Sequence, residues 1–213
     1  MAVNIKLQLI NRSSLGELAE LIENNFTQII EKITDKIPVS DVIVSVFKDP
    51  KHTISEVGIG GYTPNANTLF VYLDVSHPNL NKHLVEELTA TLAHELHHCL
   101  RWRNPGYGET LFEALITEGL ADHFELEITK MKPRPWDKAL SAKQIPEILK
   151  RAALEYDNKE YSHEDWFFGN KQRDLPRWTG YTLGFHLVSE YLKNGTRKAS
   201  ELYDVSIEKF KKS

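Results

Sequence analysis

Apolar residues recur along this chain in two rhythms, and the change of rhythm marks its elements. From 13 to 36, after Ser13-Ser14, residues Leu15, Leu18, Leu21, Ile22, Phe26, Ile29, Ile30 and Ile33 follow a three-to-four spacing, which predicts one long amphipathic helix. Strand-like runs follow at 41–48 and 68–75, with a Gly-rich stretch around Val57 to Tyr62 between them, and these read as a small sheet. Leu84, Leu88, Leu92, Leu96 and Leu100 then stand four apart through 81–103, a segment without Gly or Pro. That stripe predicts a helix capped by Asn81 and ended by Asn104-Pro105-Gly106. A second helix, apolar on most sides, covers 110–130, and charged helices at 143–154 and 178–193 follow Pro133, Pro135 and Pro176. The order is helix, strands, then helices. It gives an α+β class and one domain, 1–213, of two lobes with a cleft between them: an α+β lobe over about 1–103 and a helical lobe over about 104–213.

The first of these leucine-striped helices contains His94-Glu95-Leu96-His97-His98. Helix positions four apart stand about 40° apart around the axis, so His94 and His98 share a face and can reach one ion. Glu87, Thr91 and Arg101 lie on that polar face, away from the leucines, so the imidazoles are expected to line a cleft. Glu95 falls where it can accept a proton from a metal-activated water as that water attacks a carbonyl. With 9 histidines in the chain, shuffling would produce this HExxH pattern on the order of 0.04 times. The chemistry indicated is zinc-assisted hydrolysis.

A catalytic zinc takes three protein ligands and keeps one position open. The metzincin pattern needs a Gly and a third His at fixed offsets, and those positions hold Arg101 and Asn104. The gluzincin pattern takes a Glu from a second helix, and 110–130 offers Glu118 among Leu115, Ile116, Leu120 and Ala121. There a carboxylate is costly to bury without a metal, a proton or a cation. Asp122, four residues on, can fix the tautomer of a ligand imidazole. This Glu-x-x-x-Asp pair, 20 residues after His98, resembles the thermolysin-like gluzincins. Together with the His-Glu-Leu-His-His spelling and the segment from Thr117 to Asp122, it makes the chain resemble the YjaZ-type predicted Zn-dependent proteases. The likeness spans about 40–195 and is specific over 94–122. It implies a zincin-like fold with the HExxH helix at the cleft, zinc held by His94, His98 and Glu118, Glu95 as general base, and Asp122 behind the ligands.

The same resemblance gives expectations for the rest of the site. Zincin sheets offer an edge strand to an extended peptide, and Gly61, Tyr62 and Asn65 lie about thirty residues before His94, at the matching offset. The neighbouring Thr63-Pro64-Asn65-Ala66-Asn67 reads equally as a hairpin turn. Gluzincins supply an oxyanion donor roughly sixty residues past the Glu ligand, which points to Tyr181 between Gly180 and Gly184, with His186 and Arg177 as runners-up. His97 is expected to flank the site, His123 and His163 to be ordinary surface or helix-end residues, and Cys99 to be a buried small hydrophobe.

Charge and composition exclude several partners. The net charge is -4 and basic residues are scattered, apart from the Lys209–Ser213 end, which reads as solvated, so there is no footprint for nucleic acid. No stretch approaches membrane-spanning length, and the first residues lack an apolar core before a small-residue cleavage site. A lone cysteine suits a reducing compartment, so the expected location is cytoplasmic. The expected activity is a zinc metallopeptidase acting on a peptide or protein. Its rivals are a catalytically silent zinc protein whose cleft holds a peptide or partner, and a zinc hydrolase of non-peptide amides or esters.

Overall fold

The computed structural model describes residues 4–211. The first three residues of the amino-terminal segment and the last two of the basic end, Lys212 and Ser213, lie outside the described residues. The chain divides into two compact units, 1–103 and 104–213, and its class is α+β, with a small mixed sheet and helices.

In the first unit the sheet has four strands: β1 (Ile5–Leu9), β2 (Val42–Lys48), β3 (Ile59–Asn65) and β4 (Thr68–Leu73), in the order β1-β2-β4-β3. β1 runs parallel to β2 and β2 parallel to β4, while β3 and β4 form an antiparallel hairpin. Parallel neighbours need a crossover connection, and α1 (Glu17–Thr34) supplies it between β1 and β2. β1 was not expected from the sequence. Its alternation of Ile5, Leu7 and Leu9 with Lys6 and Gln8 is the period-two signal, compressed into five residues.

α1 also starts later than the predicted residue 13. Asn11 at φ 52° and Gly16 at φ 57° bracket a single tight turn, Arg12–Leu15, which uses Ser13 and Ser14 before the α-helix begins at Glu17. Glycine meets the left-handed geometry at 16 without steric cost. From there Leu18, Ile22, Phe26, Ile29 and Ile33 are buried at helical spacing, as are Val44 and Val46 of β2 and Leu69, Val71 and Leu73 of β4. α2 (Leu80–Arg103) follows. Asn81 lies inside it and does not cap it, because the Asp74 carboxylate accepts from Ser76 N (3.0 Å) and a turn from Asp74 through His77 winds the chain into the helix one residue early.

In the second unit α3 (Leu111–Thr129) begins with a capping box: Thr110 and Glu113 each satisfy the other's backbone N–H. α3 is buried on nearly all sides, as a helix apolar all round must be. α4 (Gln144–Ala153) and α5 (Thr179–Lys193) complete the unit, with a core built on Leu115, Leu140, Ile148, Trp166, Phe167 and Leu183. α3 and α5 pack with backbones almost touching. A Cβ on Gly119 would lie 2.2 Å from Gly184 O, and one on Gly184 would lie 2.2 Å from Leu115 O.

Candidate functional site

The leucine stripe of α2 is buried along its length, from Leu84 to Leu100, which fixes the rotation of the helix and therefore the direction of its polar positions. His94 and His98 converge: their Nε2 atoms lie 3.0 Å apart, with the rings edge-to-face at 86°. Two ligands about 2.0–2.1 Å from a tetrahedral zinc stand about 3.4 Å apart. The imidazole nitrogens are thus spaced as one ion would space them.

Glu95 turns toward the end strand of the sheet. Its carboxylate Oε2 accepts the Thr63 hydroxyl at 2.7 Å, and a Cβ on Gly61 would sit 2.5 Å from Glu95 Oε1. Only a glycine leaves room for the carboxylate at that point. The Thr63 carbonyl in turn accepts from the Trp102 indole N–H at 3.0 Å. Thr63 and Trp102 were not singled out by sequence reasoning. Strand alternation offered a signal for Thr63, since residues two apart share a face and Gly61 was already a candidate.

α3 carries its acids on one stripe. Glu118, Asp122 and Glu125 follow the i, i+4, i+7 rhythm and all are buried. Glu125 pairs with Arg134 Nε at 3.2 Å. Glu118 Oε1 accepts the hydroxyl of Tyr107, another residue the sequence did not flag. Tyr107 is presented by a turn in which Gly106 and Gly108 both take positive φ, and the Thr117 hydroxyl donates to its carbonyl at 2.9 Å. Burial, reinforced by the negative charges of Glu118 and Glu113, pushes the Tyr161 hydroxyl up to about 12.

The first unit contributes His94 and His98 and the second contributes Glu118, Asp122 and Glu125, all residue types that could hold a metal ion. Two imidazoles with one carboxylate are a donor set that suits zinc, and the 3.0 Å nitrogen pair fits it.

The other expected residues fall as follows. Tyr181 is on α5, edge-on to Phe167 (5.0 Å) and to Trp178 (5.5 Å). The Arg177 guanidinium covers the Trp178 ring at 4.0 Å, and His186 is also on α5. Gly180 and Gly184 serve packing, against the Phe167 ring and Leu115. Tyr62 is 56% exposed, on the sheet face opposite Gly61 and Thr63. Asn65 Oδ1 accepts from Asn67 N at 2.9 Å, so this residue helps close the hairpin. His97 and Cys99 are fully buried, and burial, with the Glu95 charge, pushes the Cys99 thiol up to about 12.

One of the two remaining histidines differs from expectation. His123 is in mid-helix, its ring stacked on Phe185 at 4.2 Å and its Nε2 3.1 Å from Phe185 O and 3.0 Å from Ser189 Oγ. His163 stacks on Phe167 at 4.2 Å and its Nδ1 lies 3.1 Å from the Tyr161 hydroxyl. His123 is a packing residue and burial lowers its pKa, whereas His163 is exposed at the head of the Glu164–Phe168 turn, the helix-end position expected of it.

Among the described residues no helix is long and apolar enough to cross a membrane. Comparison with curated proteins and with solved structures returned no match. A family model described as "Predicted Zn-dependent protease (DUF2268)" matches residues 18–212. That span takes in both units, the HExxH helix and the acidic stripe of α3, and the chain therefore belongs to this family of predicted Zn-dependent proteases.

Proposed function

We propose that this protein is a zinc metallopeptidase of gluzincin type, with a zincin-like fold in which 1–213 acts as one catalytic domain. The observation that carries the reading is the convergence of His94 and His98 Nε2 to 3.0 Å beside a carboxylate, Glu95, pinned against the end strand. His94, His98 and Glu118 would hold the zinc, and the donor types of the set, two imidazoles with one carboxylate, support that choice. Asp122, one turn beyond Glu118 on α3, would orient an imidazole by accepting from its far nitrogen.

Zinc, when bound, polarises the scissile carbonyl and acidifies a water. The protein's own groups do the rest. Glu95 accepts the proton of the attacking water and returns it to the amide nitrogen that leaves, a role that contributes about 10²–10⁴ in rate. Tyr181 donates to the oxygen on which negative charge develops. An extended peptide adds along β3, which ends the sheet order, and lies over Gly61, Tyr62 and Asn65 through main-chain hydrogen bonds. Peptides and unfolded proteins are the substrate class, and a reducing, cytoplasmic compartment suits the single Cys99.

The decisive experiment is elemental analysis for bound metal, followed by activity on unfolded casein or a peptide library with wild type and Glu95→Gln. One zinc per chain, with kcat lowered by about 10²–10⁴ in the variant, supports the reading. Zinc without turnover in either protein would make it a binding protein. Cleavage of small amides or esters but not of peptides would change the substrate class.

A further inference from the structure

We infer that Thr63 is the residue that positions Glu95 for proton transfer, and that it does so by engaging Oε2 so that Oε1 alone exchanges the proton. The inference rests on the proposed role of Glu95 as general base and adds to it the device that aims the base.

The device begins in the sheet register. Along β3, Gly60 pairs with Tyr72, Gly61 with Val71 and Tyr62 with Phe70, but the next pair is Asn65 with Thr68, so the ladder shifts between Tyr62 and Asn65. Thr63 and Pro64 occupy the shift. Pro64 has no N–H to give a ladder and is tolerated at a sheet end or bulge. Such irregularities re-aim side chains and are frequent next to active sites. Here Thr63 is released from the ladder and buried, its carbonyl taken instead by the Trp102 indole on α2 (3.0 Å).

The Thr63 hydroxyl has one proton and two oxygens in reach, Glu95 Oε2 at 2.7 Å and the Glu95 carbonyl at 3.1 Å. The shorter, charge-assisted contact to the carboxylate takes it. On the other side, a Cβ on residue 61 would lie 2.5 Å from Oε1, so the missing side chain of Gly61 is what leaves the carboxylate its place. A long, flexible side chain is thereby held from both sides, by a donor on one oxygen and by backbone beside the other. With Oε2 engaged, Oε1 is the oxygen that accepts: a water O–H bond breaks as Oε1–H forms, and Oε1–H later breaks as an N–H bond forms on the leaving amine. Thr63 keeps its proton throughout, which makes it a positioning residue.

The test compares Thr63→Val, Thr63→Ser and Gly61→Ala with Glu95→Gln, on unfolded casein and a single peptide substrate. The crystal structure of metal-free Thr63→Val gives a readout that needs no activity. The expected result is kcat lowered about 10- to 100-fold in Thr63→Val with KM within about threefold, kcat lowered in Gly61→Ala as well, zinc stoichiometry unchanged in both, and near wild-type kcat in Thr63→Ser. In the metal-free Thr63→Val crystal the Glu95 carboxylate should leave its place beside Gly61. A Glu95 carboxylate that stays put in that crystal, or a Thr63→Val enzyme with wild-type kcat while Glu95→Gln is inactive, overturns the positioning role and leaves the base intact. Wild-type kcat in Glu95→Gln overturns the base itself. If Thr63→Val does not fold, Thr63→Ala, which also removes the hydroxyl, decides by the same readings.

Discussion

The phenol of Tyr107 donates to Oε1 of Glu118, eleven residues later in the chain. Because Gly106 and Gly108 hold the turn in positive φ, and the Thr117 hydroxyl fastens the Tyr107 carbonyl at 2.9 Å, the hydroxyl is delivered by backbone geometry. On the proposed ligand set, this partner would orient the Glu118 carboxylate, and losing such a partner typically weakens metal affinity 10- to 100-fold. Tyr107→Phe is expected to lower zinc affinity about tenfold, and Glu118→Ala to lower it by at least that much. Competition with a chromogenic chelator measures both. Unchanged zinc retention after Glu118→Ala would place the third ligand elsewhere.

Gly119 and Gly184 meet where α3 crosses α5. Alanine at 184 would put a methyl group 2.2 Å from Leu115 O, whereas the nearest atoms to a Cβ on Gly195 are 3.9 Å away. Overpacking a contact of this kind costs about 1–3 kcal/mol. Gly184→Ala should therefore lower the urea midpoint clearly, while Gly195→Ala should leave it nearly unmoved.

The parts of this molecule that the sequence made legible are those written in local spacing. The leucines of α2, four apart, and the acids of α3 at 118 and 122 each declare a helix face without reference to any other segment. β1 was missed because five alternating residues are a weak signal beside the long helical pattern that follows. Thr63 and Tyr107 were missed for a different reason: a register shift in one hairpin and two left-handed glycines in one turn aim them, and only Thr63, two residues from Gly61, had a periodic neighbour to suggest it. His123 was read as an ordinary helix or surface residue because its partners, Phe185 and Ser189, are 62 and 66 residues away in sequence.

Cys99 provides a test of burial on the HExxH helix. The thiolate is the reactive form, and a thiol pushed up to about 12 leaves about one part in 10⁴ ionised at pH 8. The native protein should resist a thiol-specific reagent such as a disulfide dye at that pH and release one equivalent of product when unfolded in guanidinium. Prompt labelling of the native chain would mean that this stretch of α2 opens readily.

His123 should make stability depend on pH in a predictable sense. Burial lowers its pKa below 6.5 and outweighs the Phe185 carbonyl and the Asp122 charge, which pull the other way. The folded state then binds fewer protons than the unfolded chain just below pH 6.5, so stability falls with acidification. The contribution is present in full above 6.5 and is lost as pH drops through the lower folded-state value. Glutamine at 123 keeps a donor for Phe185 O and an acceptor for Ser189 but cannot take up a proton. Urea unfolding of wild type and His123→Gln at pH 7.5 and pH 5.0 should show the wild type losing more stability between the two, with the curves converging at the acid end. Parallel losses would mean that His123 is protonated as easily in the folded chain as in the unfolded one.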